Sequence, residues 1–169
     1  MTIDPFDALA CPLDGEPLTD SGTCWRCPGG HSFDVARQGY LHLLPVQKKR
    51  SLAPGDSREM VAARRHFLNA GYYRPVAEAV NAAVLQCTTD EADRLACLDA
   101  GCGEGYYLRQ LAAESATTHL SVIGLDISKW AVLAAAKQDK RPRWVVGSNA
   151  NIPMLAGTLD RILCLFGFP

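Results

Sequence analysis

No apolar run in this sequence reaches the roughly 20 residues that a membrane-spanning helix needs. The N-terminus, with Asp4 and Asp7, also lacks the basic start and apolar stretch of a secretory signal. A cytoplasmic address with no membrane partner follows. Neither sign of charge is in large excess: the net charge is −1, and 48% of the 169 residues are apolar, which argues against a disordered chain and predicts a packed core. Nor do the cysteines pair off. There are seven, three of them before residue 30 and the rest scattered, a usage that suits a reducing compartment with a metal site better than a disulfide framework.

One more absence selects a ligand. Leu98-Asp99-Ala100-Gly101-Cys102-Gly103-Glu104-Gly105-Tyr106 reads as a strand, a glycine loop and the start of a helix, and Val122-Ile123-Gly124-Leu125-Asp126 as the next strand. A dinucleotide fingerprint would place its third glycine where Tyr106 stands, under a pyrophosphate. Pyrophosphate is therefore disfavoured. Asp99 ahead of the loop attracts an ammonium and repels an anion, and Asp126 closing the second strand can accept both ribose hydroxyl protons. S-adenosylmethionine, with its ammonium and sulfonium, fits, and Asp99, Gly101, Gly103, Gly105 and Asp126 look like the first two motifs of class I methyltransferases. The fold class expected is α/β, a Rossmann-like class I domain.

The early cysteines form Cys11-Pro12-Leu13-Asp14 and Cys24-Trp25-Arg26-Cys27-Pro28-Gly29-Gly30-His31. Thiolate and imidazole are the ligands Zn²⁺ prefers, and a segment this short with few large apolar groups has need of a structural metal. Cys11, Cys24, Cys27 and His31 would supply four donors to a small zinc-ribbon-like module. Asp14 sits where a second cysteine of a Cys-x-x-Cys pair would fall. Either Cys24 takes that place, the preferred reading, or Asp14 binds as an oxygen ligand. The plainer alternative is reduced cysteines beside an incidental histidine.

Between these parts, Phe33 to Pro45 reads as short strands around a Gly39 turn, and Gln47 to Ser51 with Pro54-Gly55-Asp56 as a basic, turn-rich connector. A helix follows from Asp56 or Ser57 to about Gly71, with Glu59 placed for a capping box and Met60, Val61, Phe67 and Leu68 on its apolar face. Pro75 opens another, with Val76, Val80, Ala83 and Val84 on one side. The organisation is thus 1–45 metal module, 46–93 connector and helices, 94–169 cofactor domain. From Ser21 to Pro75 there are nine Lys or Arg against three acids, a footprint for a polyanion such as RNA; Lys48, Lys49, Arg50, Arg64 and Arg65 are candidate phosphate contacts, and Trp25, Tyr40 and His42 candidate stacking residues. A solvated linker explains the same charges.

Cys11-Pro12-Leu13, Cys27-Pro28-x-x-His31-x-Phe33-Asp34, Gly39-Tyr40-x-x-Leu43-Leu44-Pro45-Val46-Gln47, Pro54-Gly55-Asp56-Ser57, Ala63-Arg64-Arg65-x-Phe67-Leu68-x-Ala70-Gly71 and Gly101-Cys102-Gly103-Glu104-Gly105-Tyr106-Tyr107 together resemble the bacterial 23S rRNA guanine-N1 methyltransferases, nearly end to end. The resemblance implies a zinc-binding N-terminal part that helps hold an rRNA hairpin and a class I domain that methylates guanine N1. It also implies metal-ligand roles for Cys11, Cys27 and His31 and cofactor-site roles for Tyr73, Gly103 and Glu104; it allows a homodimer. Lys129–Lys137 then reads as a second crossover helix, Trp144-Val145-Val146 as a third strand, Ser148-Asn149-Ala150 as a loop near the adenine, and Asp160–Phe166 as a fourth strand. A class I sheet has about seven strands, so a C-terminally truncated domain is expected. A methyltransferase for a small molecule or protein, or a non-catalytic RNA-binding protein on a relic fold, are the rival readings; no general base can be assigned from the sequence.

Overall fold

The computed structural model describes residues 3–48, 51–86, 94–114 and 119–166. Along the chain come β1 (Ile3–Pro5), β2 (Thr19–Asp20), β3 (Cys24–Arg26), β4 (Ser32–Asp34), β5 (Tyr40–His42), a 3-10 turn (Val46–Lys48), α1 (Arg58–Asn69) and α2 (Arg74–Leu85). Then follow β6 (Leu95–Ala100), α3 (Tyr106–Glu114), β7 (Leu120–Asp126), α4 (Lys129–Gln138), β8 (Arg143–Val146) and β9 (Arg161–Leu163). β6, β7 and β8 are dominated by apolar residues, as strands covered on both faces must be. They form a parallel sheet ordered β5-β8-β7-β6-β9, with β1 lying beside β7. The chain steps from β6 outward through β7 to β8, then returns to the opposite edge of β6 with β9. Such a reversal opens a crevice at the carboxyl ends of the strands.

Two strands of this sheet come from the segment 1–45. β1 pairs in parallel with Leu120–Val122 of β7, filling the edge that β8 leaves open because β8 starts opposite Ile123. β5 pairs in parallel with Trp144–Val146. The chain does turn at Gly39 (φ 90°), but the strands around it are joined only by a Val35–Leu41 bridge before β5 departs to β8. Only β2, β3 and β4 form a separate antiparallel sheet.

Alternation along the strands sends side chains to two cores. Leu95, Cys97, Leu120, Val122, Trp144 and Val146 meet Val84, Leu108, Leu111, Val132, Ala135 and Ala136 from α2, α3 and α4. Leu98, Ala100, Ile123, Leu125 and Val145 meet Phe6, Leu9, Cys11, Leu18, Trp25 and Cys27. The N-terminal region therefore supplies the layer that covers the second face of the sheet. Trp25 is 2% and Tyr40 6% exposed, so neither is available to stack on a base, contrary to the sequence expectation. Trp25 lies in this core with the Arg143 guanidinium 4.8 Å from its ring centroid.

α1 begins one residue later than a capping box would need. Ser57 is the N-cap, accepting the Met60 N–H, so Glu59 falls at the second helical position and accepts the Ser57 hydroxyl instead. Its buried residues are Val61 and Leu68, while Met60 and Phe67 stay half exposed. In α2 the buried residues are Ala77, Asn81 and Val84, and Val76 and Ala83 are exposed.

Candidate cofactor cavity and metal centre

The crevice beside β6 is a cavity of about 530 Å³. Gly101, Gly103 and Glu104 from the loop after β6, Asp126 after β7, Ser148 and Asn149 after β8 and Tyr73 before α2 line it. Gly55, Asp56, Arg64 and Phe67 close it from the α1 side, and Leu165 and Phe166 after β9 complete the wall. Among the residues expected to touch phosphate, Arg64 thus stands on this wall, paired with Asp56 at 3.0 Å. Arg65 is exposed on α1; Lys49 and Arg50 lie outside the described residues, and Lys48 closes the 3-10 turn.

Asp126 is held in place from both sides. Its Oδ2 accepts the Gly103 N–H at 2.9 Å and its Oδ1 the Ser128 N–H at 2.8 Å, leaving lone pairs free on both oxygens. Burial, which is the largest influence, pushes its carboxyl above the usual range, while these two amides pull the other way. Ser128 caps α4 and donates to the Asp56 carbonyl at 2.7 Å, which ties the connector to the rim of the cavity. The connector, for which a solvated linker was the alternative to a polyanion contact, is therefore partly structural.

Asp99 and Gly105 do not reach the wall. Gly105 has φ 82°, and a Cβ there would come within 2.5 Å of the Trp144 ring, so the absence of a side chain lets the loop seat on β8. Asp99 is 1% exposed, and neither carboxylate oxygen has a hydrogen-bond partner among the described residues. Burial first, and the nearby Asp126 second, push its carboxyl up to about 7. In the folded state Asp99 keeps its proton where the unfolded chain has lost it, so its contribution to stability falls as pH rises from about 4 to 7. Asp99→Asn should therefore melt higher than the parent at pH 8, with the gap closing near pH 4; thermal melts showing a pH-independent gap would contradict this.

Glu104 is fully buried, and its carboxylate is gripped by Arg109 at 2.9 and 3.0 Å and by Gln138. It braces the glycine loop from beneath. Among the cavity residues that the sequence reading did not single out are Asp56, Phe67, Tyr106 and Ile127. Their common signal is adjacency to a glycine turn or strand end, which sequence alone does not orient.

In the N-terminal region, Cys11, Asp14, Cys27 and His31 bring one donor atom each within 4.8 Å of one another. His31 Nδ1 lies 2.9 Å from Asp14 Oδ2, 3.4 Å from Cys27 Sγ and 3.5 Å from Cys11 Sγ, and Cys27 Sγ is 3.2 Å from Asp14 Oδ2. Tetrahedral zinc with bonds of about 2.0–2.3 Å spaces its ligands about 3.3–3.8 Å apart; the two His31–thiol distances fall in that range and the Asp14 contacts lie just short of it, so small side-chain shifts would let the four donors close on that ion. This corrects the preference for Cys24. The Cys24 thiol lies outside the cluster, accepting from Arg26 Nε at 3.3 Å, and hydrogen bonds from Ser32 and Arg26 lower its pKa. β3 carries Cys24 antiparallel to β4, and only Cys27, past the end of the strand, reaches the turn where His31 waits. Gly29 is the residue missed: a Cβ there would meet Asp14 Oδ2 at 2.5 Å.

A parallel sheet with this strand order, a glycine loop after its central strand and a carboxylate closing the next is a class I methyltransferase fold. Consistent with it, residues 97–169 match a methyltransferase domain family and residues 9–52 the family described as RlmA, N-terminal. The crystal structure of a protein from Methanococcus maripaludis, assigned to the S-adenosylmethionine-dependent methyltransferases, shares the fold with a TM-score of 0.52 at 18% identity, over 68% of this chain and 53% of that one. A protein of Micromonospora griseorubida assigned by name to the 23S rRNA (guanine-N1) methyltransferases is 38% identical over 96% of this chain and 59% of its own length. The 23S rRNA (guanine(748)-N1)-methyltransferase of Streptomyces fradiae is 35% identical over 79% of this chain and 45% of its own. The chain is similar to these 23S rRNA (guanine-N1) methyltransferases over most of its length, and it spans about half to three-fifths of the length of these curated relatives. Among the described residues no helix is long and apolar enough to cross a membrane.

Proposed function

We propose that this chain holds S-adenosylmethionine in the cavity beside β6 and is the zinc-bearing part of an enzyme that methylates N1 of an unpaired guanine in a 23S rRNA hairpin loop, in the cytoplasm. The observation that carries this reading is the conjunction, in one chain, of a four-donor metal cluster with a cavity at the switch point of a class I sheet. The relatives' names supply the substrate.

Each wall residue then has a task. The free lone pairs of Asp126 accept the ribose hydroxyls, Ser148 and Asn149 flank the adenine, and Gly101 and Gly103 let the backbone approach the methionyl part. Asp99 lies buried off the wall and holds its proton up to about pH 7. Cys11, Asp14, Cys27 and His31 would hold the zinc, whose role is to fix the layer that covers the sheet. When bound, S-adenosylmethionine supplies a methyl group made electrophilic by its sulfonium. The chain's own part is alignment and exclusion of water, for which a cavity walled on several sides and a loop braced through Glu104 are suited. The acidic side chains on the wall are already engaged: Asp56 with Arg64, Glu104 with Arg109 and Gln138, and Asp126 with two amides. None is poised to take the N1 proton in this state. Because N1 is engaged in Watson–Crick pairing, the target must be looped or flipped out.

Replacing Lys48, Lys49, Arg50, Arg64 and Arg65 together with Gln tests the RNA half of the proposal. Filter binding of an rRNA hairpin at graded salt should show weaker binding and a salt slope shallower by up to roughly 3.5, since each phosphate contact on single-stranded RNA contributes about 0.7. An unchanged slope would return these residues to a solvated surface.

A further inference from the structure

The end of α1 carries a ladder of aromatic side chains. Gly71, at φ 87°, ends the helix and turns the chain back so that Tyr72 and Tyr73 both meet Phe67. Phe67 and Tyr72 stack with centroids 5.3 Å apart and planes at 27°. Tyr73 meets Phe67 edge-on at 5.5 Å, and Phe166 meets Tyr73 at 5.9 Å. Tyr72 is 70%, Phe67 45% and Phe166 69% exposed, an unusual concentration of wetted aromatic surface. The ladder is continuous with the cavity, because Phe67, Tyr73 and Phe166 are also on its wall whereas Tyr72 is not.

Resting on the proposed function, we infer that the Phe67–Tyr72 stack is a docking face for an unpaired nucleobase of the RNA strand, next to the mouth of the cofactor cavity. Aromatic faces bind any base by stacking and need no sequence-specific hydrogen bond. The surrounding charge selects a nucleic acid over an apolar peptide. Arg64 and Arg65 precede Phe67 on the same helix, Arg74 follows Tyr73, and the neighbouring acids Asp56 and Glu78 are occupied by Arg64 and Arg74, which leaves Arg65 for the phosphate of the docked nucleotide. Phe166 is the one described residue other than glycine with a positive φ, 57°, and it holds its ring against Tyr73 at the boundary between ladder and cavity. A base leaving the Tyr72 face would pass this boundary on its way to the cofactor.

The test uses the whole chain and an RNA hairpin carrying 2-aminopurine in its loop, whose fluorescence is quenched by stacking, with S-adenosylhomocysteine affinity measured in parallel. The parent should bind and quench. Tyr72→Ala, at a position exposed enough to leave the fold intact, should weaken binding about 5- to 150-fold and restore fluorescence, while S-adenosylhomocysteine affinity stays within about twofold. Phe67→Leu, which keeps an apolar side chain on α1, should also lose the quench. Parent-like quenching in both variants would overturn this inference and leave the proposed function standing. If the parent binds neither S-adenosylhomocysteine nor RNA, the proposed function falls and takes this face with it.

Discussion

Cys27→Ser will emerge from purification with almost no zinc, and its loss will lower the melting temperature of the entire chain rather than of a detachable N-terminal module. Cys27 and Cys11 stand in the same buried cluster as Leu98, Ile123, Leu125 and Val145 of the large sheet, so releasing the metal loosens the layer that covers one face of β6, β7 and β8. β1 and β5, paired to β7 and β8, carry the disturbance further. Asp14→Ala should weaken zinc by more than the roughly 10- to 100-fold that loss of an outer partner costs, because a direct donor is removed. Cys24→Ser should keep one zinc per chain, since its thiol is engaged with Arg26. Metal analysis by mass spectrometry decides between them: zinc kept by Asp14→Ala and lost by Cys24→Ser would reverse the ligand assignment. A two-step melt in Cys27→Ser, with the sheet unaffected, would contradict the shared core.

The second large effect is expected at Asp126. A hydrogen bond to a charged acceptor contributes roughly 1.5–3 kcal/mol, so Asp126→Ala should bind S-adenosylmethionine about 10- to 150-fold more weakly in calorimetry. Some of that loss arises from the loop itself, because the Gly103 and Ser128 amides lose their acceptor. Asp126→Asn separates the two contributions. It keeps a carbonyl oxygen for one amide while removing the charge, and should fall between parent and alanine variant. Parent-like affinity in both would take Asp126 out of the site.

How far the residues spoke in advance depends on the range of the interactions. The glycine loop and the strand that ends at Asp126 are local patterns, and the strands Leu95–Ala100 and Leu120–Asp126 and the helix Lys129–Gln138 contain the segments Leu98–Ala100, Val122–Asp126 and Lys129–Lys137 expected from the sequence. The sheet partners of β1 and β5 were not legible. Those pairings join residues more than about 100 positions apart, and a three-residue parallel strand carries no period of its own. Trp25 illustrates the same limit: in sequence it is an aromatic amid basic residues, and only the fold buries it in the core and sets the half-buried Arg143 guanidinium against its ring. At the metal centre, spacing favoured Cys24 because two residues separate it from Cys27. The strand geometry of β3 overrode spacing, and an aspartate took the place that softness of ligand would have given to sulfur. The cavity wall from α1 was hidden for another reason. Phe67 reads as part of one helix's apolar face, Tyr73 is marked for the cofactor site only by the family resemblance, and the Gly71 turn is what brings both to the cavity wall.

The central claim is that the cavity at the carboxyl ends of β6, β7 and β8 is the cofactor site, and an amide NMR titration of the isotopically labelled chain with S-adenosylhomocysteine tests it most directly. The account predicts that the largest shifts fall on Gly101, Gly103, Ile127 and Asn149, the backbone that encloses the cavity, with the zinc-centre amides of Gly29 and Gly30 unmoved. Saturable shifts clustered elsewhere, or none at millimolar ligand on a folded and zinc-loaded chain, would contradict it.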